Sequence, residues 1–314
     1  MSDLLKKNAV EDDFKIVGKD LIESEKISKP SMSFWSDVVR RIKTNKVAVV
    51  SFWIIVFLMI MAIAGPFLSN YNYREQNLGN QFLFGSKAFS LGHYFGTDDF
   101  GRDLFTRVWS GARVSLMIAL VVVAIQGTFG AFYGGVAGYF GGKIDTLMMR
   151  FVEIIMAVPS LIYIILLMVV MGPGIKTIII AVAVTEWTSM ALIVRGEVLR
   201  LKEQEYVMAA VNLGASPVRI ITKHLVPNAM GQIIVRLTMD IPRVIFTEAF
   251  LSFLGIGVPA PFASLGSLAL DGWRLLSNGP YLFVIPAFFI SLITLAFNLL
   301  GDGLRDALDP KLRK

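Results

Sequence analysis

The chain has 314 residues, 55% of them hydrophobic and 17% charged, with no cysteine and a formal net charge of +6. That composition is too apolar for a soluble globule and belongs to the membrane class. The missing cysteines exclude disulfides and thiolate metal centres, and the modest positive balance gives little support for nucleic-acid binding.

Residues 1–46 are polar and mix acids with bases. They lack a sustained apolar face until Phe34-Trp35 and Val38-Val39, so a tail ending in a short helix on the membrane surface is predicted. The first spanning run follows at 47–68, since about 20 apolar residues cross a hydrocarbon core about 30 Å thick. It contains the cleavage-like triplet Ala62-Ile63-Ala64, but the apolar stretch before it is too long for a signal peptide, so an uncleaved anchor is expected.

An exterior loop at 69–112 ends in Phe95-Gly96-Thr97-Asp98-Asp99-Phe100-Gly101-Arg102-Asp103. Its Asp and Gly residues predict a turn, continued as an amphipathic helix. Helices two to six are placed within 113–301. The second span, Val114 to Tyr139, leads through Gly130, Gly134, Gly138 and Gly142, a four-residue repeat that removes side chains from one helix face and predicts a packing seam. The third and fourth spans, Leu147 to Met171 and Ile175 to Val194, carry Glu153 and Glu186, neither with an obvious local partner.

The polar stretch at 200–228 is the most informative in the chain. Glu205, Tyr206, Ala209, Ala210, Gly214, Ala215 and Ser216 set two small alanines and a turn glycine among charges, between long apolar runs. A loop built this way is predicted to dock on another protein. The spacing of Ala210, Gly214 and Ile220 also suits a DNA-binding helix-turn-helix, but both flanks return to the membrane and leave no room for a three-helix core.

The fifth span, Ile233 to Phe253, carries Arg236, Asp240 and Arg243 at i, i+4 and i+7, so the acid lies between two bases on one face. Ionisable groups at this depth are costly, and are read either as a self-neutralising cluster or as residues of a pathway. Pro242 is expected to kink the helix, and Glu248 falls off the charged face. A sixth span, Tyr281 to Leu300, precedes a tail at 302–314. With six spans both ends share one side. That side holds 21 Lys and Arg residues against seven opposite, so both termini are predicted cytoplasmic.

No phosphate-binding Gly-rich loop with its Lys occurs, so the chain has no recognisable means of binding ATP. Asp99-Phe100-Gly101 matches a kinase triplet without a catalytic loop around it, and His93 and His224 lie on opposite sides. A membrane-embedded enzyme needs a convergent nucleophile and base, which two separated histidines do not supply. A stand-alone secondary transporter predicts repeated halves with interrupted helices, and no internal repeat is visible.

Ala209-Ala210, then Gly214 after three residues, then Val226-Pro227 resemble the EAA loop of binding-protein-dependent ABC importer permeases, with Met208 where the family has its leading Glu. The stretches Phe95 to Asp103, Glu248 to Gly257 and Gly301 to Pro310 are similar to the C-type permease subunit of oligopeptide and dipeptide importers, and the likeness runs from about residue 34 to the end. The resemblance implies an all-α membrane protein of the type I ABC importer permease fold. It also implies a homologous B-type permease, two cytoplasmic ATPases that bind ATP and Mg, and an exterior substrate-binding protein, all at a bacterial plasma membrane. On this reading the seven loop residues couple to the ATPase, Asp98, Arg102, Asp103 and Glu248 are exterior turn or gate candidates, and Glu153, Glu186, Arg236, Asp240 and Arg243 are pathway or structural charges. No catalytic residue is expected. The substrate stays open, since permeases for nickel, glutathione or other small solutes share the pattern.

Overall fold

The computed structural model describes residues 34–308, so residues 1–33 of the tail predicted at 1–46 and the last six residues of the tail predicted at 302–314 lie outside the described part. The chain divides into two compact units at Arg40/Arg41. Of the first, the described part is helical and includes an Asp37–Arg40 ion pair at 2.8 Å; the helix, α1, spans Phe34–Thr44.

The described part of the second unit is built of helices joined by turns and loops, with one isolated bridge between Thr97 and Asp103. In order come α2 (Lys46–Ala64), the short α3 (Ser86–Ser90), α4 (Leu104–Ile125), a π-helical turn at Gln126–Gly130, and α5 (Ala131–Phe140). There follow α6 (Gly142–Ala157), α7 (Ser160–Met171), α8 (Ile175–Lys202), α9 (Glu205–Asn212) and α10 (Pro217–Ile220). After a second π-helical turn come α11 (Val226–Phe253), α12 (Leu265–Arg274) and α13 (Tyr281–Leu308).

Four of these segments are long and apolar enough to cross a membrane: Lys46–Phe67, Leu104–Phe140, Ile175–Lys202 and Tyr281–Leu308. The pair α6 and α7 makes a fifth if it counts as one span, although it bends by 78°. The sequence predicted one straight run there. Pro159 lacks an N–H and pushes Val158 out of helical geometry, to φ −99° and ψ 128°, so the helix stops and restarts. The expected fifth span, α11, has 28 residues and the needed length, but its Arg236, Asp240, Arg243 and Glu248 lower its apolarity.

Two more expectations change. The amphipathic helix predicted before the second span is not separate from it. Asp103 accepts a hydrogen bond from Thr106 N at 2.9 Å, caps the helix and starts it at Leu104. The glycine seam is real for three members of four. A Cβ at Gly130, Gly134 or Gly138 would come within 2.7, 2.2 and 2.9 Å of carbonyl oxygens of Trp187, Ala191 and Arg195, so α8 lies backbone to backbone on this face. Such contact matters here because lipid tails give helices little hydrophobic reason to associate, and close van der Waals packing must hold them. Gly142 faces open space and belongs to the turn into α6.

The larger core packs α4 against α8, α11 and α13, with Val108, Ile118, Ala119 and Val122 of α4 fully buried. Trp109 fills the junction, against Gly65 and 4.8 Å from the Phe289 ring. A second core gathers Met190, Val194, Val198 and Leu201 of α8 with Ile220, Leu225 and Ile233. It supports the loop between α8 and α11.

Candidate functional site

Helix α9 is attached to that second core through Val207, which is buried while Glu205, Tyr206, Met208 and Ala209 are exposed and Ala210 is half-buried. Gly214 ends the helix at φ +78°, a left-handed conformation that a side chain resists. Ala215 N and Gly214 N then satisfy the carbonyls of Ala210 and Val211 at 3.0 and 2.9 Å. Ser216 accepts a hydrogen bond from Arg219 N at 3.4 Å and Pro217 opens α10, so the chain turns back toward α11. The outcome is a short helix standing away from the core. The sequence reading singled out its small residues, but the structure also exposes Met208, Val211, Leu213 and Val218, the last two by 87% and 70%. Unsheltered apolar groups on a polar loop are a further signal of a docking surface.

The charges of α11 form one cluster with two other helices. Arg236 Nε donates to Asp240 Oδ2 at 2.8 Å, and the same oxygen accepts from Gln126 of the π-helical turn. Arg236 also reaches Ser189 Oγ of α8 at 3.4 Å. Arg243 lies farther off, its Nε 3.9 Å from Asp240 Oδ1. Glu186, half-buried on α8, is within electrostatic reach of Arg243, Asp240 and Arg236. Glu153 is not part of this cluster; it pairs with Arg150 at 2.9 Å on the exposed side of α6.

In the exterior loop, Asp98 organises the turn. Its Oδ1 accepts from Phe100 N and Arg102 N, both at 2.9 Å, and its Oδ2 from Arg102 Nε at 2.6 Å. Arg107 on α4 lies 3.5 Å from the same carboxylate and 3.7 Å from Asp271 on α12, so the turn is tied to both helices. Burial pushes the Asp99 carboxyl above its ordinary range, with Asp98 adding to the shift and Arg102 opposing it. Gly101 must be glycine, since a Cβ would fall 1.8 Å from the Asn77 carbonyl oxygen. Asp103 holds His93 Nδ1 at 2.9 Å as well as capping α4, and the His93 ring stacks on Tyr71 at 4.0 Å. A cavity of about 270 Å³ opens beside the turn, lined by Arg102, Arg107, Asp271 and Arg274.

Glu248 makes its contacts elsewhere. It is fully buried where α4, α11 and the start of α12 meet, accepting from Ser115 Oγ at 2.7 Å and Ser252 Oγ at 2.9 Å. Ser115 Oγ in turn accepts from Leu265 N at 3.2 Å, next to Ser264, the cap of α12. Glu248, grouped by sequence with the exterior turn, makes its hydrogen bonds to serines of α4 and α11 instead of to Asp98, Arg102 or Asp103. The serines, spread from 115 to 264, gave no local signal in the sequence.

The family model described as the binding-protein-dependent transport system inner membrane component matches residues 127–314, and that for the N-terminal TM domain of oligopeptide transport permease C matches 33–85. The chain is 52% identical to the dipeptide transport system permease protein DppC of Bacillus subtilis (strain 168), over 93% of its own length and 90% of that protein. It is 51% identical to the oligopeptide transport system permease protein OppC of the same organism, over 93% and 94% of the two lengths. The Escherichia coli (strain K12) OppC is 40% identical over 92% and 95%. Among solved structures, an inward-facing MetNI methionine ABC transporter superposes with a TM-score of 0.52 at 18% identity, covering 65% of this chain and 94% of that one, a likeness of fold. The chain therefore belongs to the binding-protein-dependent family of bacterial ABC importer permeases, multi-pass membrane subunits that work with ATPase partners, on its oligopeptide and dipeptide C-type branch.

Proposed function

We propose that this chain forms half of the translocation pathway of an importer for dipeptides or oligopeptides in a bacterial cytoplasmic membrane, with both ends inside. Beside a homologous B-type permease it is driven by two ATPases, which hold the ATP and Mg, and receives its substrate from an exterior binding protein. The observation that carries this is α9, a helix joined to the core by Val207 and otherwise turned outward between α8 and α11. Movement of an ATPase groove around α9 passes to those two helices, and α8 and α11 are the ones that carry the Glu186 and Arg236–Asp240–Arg243 charges. The same charges support counting α11 as a span, since each base has an acid within reach and the helix is long enough. Peptide is favoured as substrate by the names of the three relatives described above, which are dipeptide or oligopeptide permeases.

The test is uptake of a labelled dipeptide and, in parallel, of nickel by proteoliposomes holding the complete importer, with ATP inside. ATP-dependent peptide uptake is expected. Nickel uptake without peptide uptake overturns the substrate reading, and failure of the chain to copurify with its ATPases overturns the coupling.

A further inference from the structure

Within the cluster, Asp240 is already committed. Arg236 and Gln126 both donate to its Oδ2, while Oδ1 is buried without a hydrogen-bond partner. Arg243 stands off at 3.9 Å with its side chain 54% exposed, and it donates no side-chain hydrogen bond among the described residues. It sits 17 residues after the first residue of a 28-residue helix, well inside the span proposed for α11. A guanidinium at that depth is not stable against hydrocarbon, so it must face water or protein. Along the helix at steps of three and four follow Phe246, Phe250 and Phe253, exposed by 66%, 43% and 47%. On an α-helix such steps fall on one face, so whatever medium meets Arg243 also meets these rings. Were they on a lipid face, the charge beside them would be too.

We infer that this face of α11 lines the water-filled route, and that Arg243 takes the free carboxylate of the passing peptide, with Phe246 and Phe250 receiving its side chains. The chemistry fits. A guanidinium fork pairs with a carboxylate through two parallel hydrogen bonds, and aromatic rings offer large contact area without selecting one side chain over another. A carrier of many peptides needs that division: one fixed reader for the group every peptide has, and permissive surface for the groups that vary. The carboxylate assignment rests on the peptide importer reading above; the wet face does not.

Because this chain has no cysteine, a single replacement puts its only thiol at the chosen position, and labelling is read on this subunit after it is separated from the others. Phe246→Cys and Phe250→Cys, and for reference Val169→Cys on the exposed side of α7, are placed in the complete importer in proteoliposomes and treated with a charged thiosulfonate, with and without ATP and vanadate. Positions 246 and 250 are expected to react at least about tenfold faster than 169 in one of the two states, and to be protected by peptide. Equal, slow reaction at all three in both states overturns the inference, whether lipid or the second permease covers the face. In the second arm, uptake of a peptide and of its C-terminal amide is measured at equal occupancy of the binding protein. Arg243→Gln is expected to lower the acid-to-amide ratio about tenfold, the loss of one charge-assisted pair, and Arg243→Lys to lower it less, since an ammonium keeps the charge but not the fork. An unchanged ratio overturns the carboxylate role. A parent complex that imports no peptide overturns the proposed function and this role together, and the labelling still decides whether the face is wet.

Discussion

Arg195 of α8 holds Asp145 of α6 through two parallel hydrogen bonds, Nε to Oδ1 at 2.5 Å and Nη2 to Oδ2 at 2.6 Å. The pair lies where α5 turns into α6 and ahead of the loop that carries α9. It therefore ties α8 to α6. Fork-to-carboxylate pairing is the strongest form of ion pair, but Arg195 is 32% exposed, so its loss should cost less than the about 3–5 kcal/mol of a fully buried pair.

Asp145→Asn should lower stability by about 1–2 kcal/mol, discounted for solvent screening, and appear as a drop in Tm of the purified permease in detergent. The exchanged double variant, Asp145→Arg with Arg195→Asp, should recover part of the loss. A single variant that melts with the parent would show that the pair contributes nothing.

This pair also marks how far the sequence could be read. Contacts between residues three or four apart on one helix were visible in part: the Arg236, Asp240, Arg243 spacing predicted the ion pairs of α11 and the apolar runs located the helices, but Glu153, with no obvious local partner in the sequence, pairs with Arg150 three residues before it. Partners joined only by folding were not. Arg195 and Asp145 are separated by 50 residues, so nothing local in the sequence pairs them. Gln126 lies 114 positions from the Asp240 it serves, and Ser115 lies 133 from Glu248. The break at Val158-Pro159 was written in the sequence, but the continuous apolarity of the run outweighed one proline.

In the docking loop, Ala210→Glu adds a charge to the half-buried side of α9, and Gly214→Val forces a branched residue into φ +78° at a cost of about 1–2 kcal/mol. Both variants should insert normally, since neither position lies in a spanning segment. Both should lose transport, with less ATPase copurifying. Leu213→Glu, at the most exposed apolar position of the loop, should behave alike. Full ATPase recovery together with normal uptake would remove α9 from the coupling path.

Asp240→Asn takes away the acid that forms ion pairs with both Arg236 and Arg243, leaving Glu186 of α8 as the remaining acid within reach of the two. Breaking a buried pair leaves an uncompensated charge; Arg236 is 25% exposed and Arg243 more so, so about 2–3 kcal/mol is expected. The measurement is expression level and Tm of the assembled complex. Unchanged stability with an altered preference among peptides would instead make Asp240 part of the route.

The exterior turn yields the last expectation. Arg102 closes the Asp98 side chain onto its own loop, while Arg107 links that carboxylate to α4 and, through Asp271, to α12. Arg102→Ala leaves the two backbone hydrogen bonds to Asp98 Oδ1 in place, so the turn should keep its shape and the complex should assemble. What is lost is one of the two cations holding Asp98 Oδ2, and with it the contact that steadies this carboxylate where Arg107 connects it to the helices. If that connection keeps the exterior end closed at rest, ATP hydrolysis without binding protein should rise severalfold, and Arg102→Lys should rise less because a point charge still reaches the carboxylate. Basal hydrolysis equal to the parent's in an assembled Arg102→Ala complex would leave the turn a structural clasp with no part in gating.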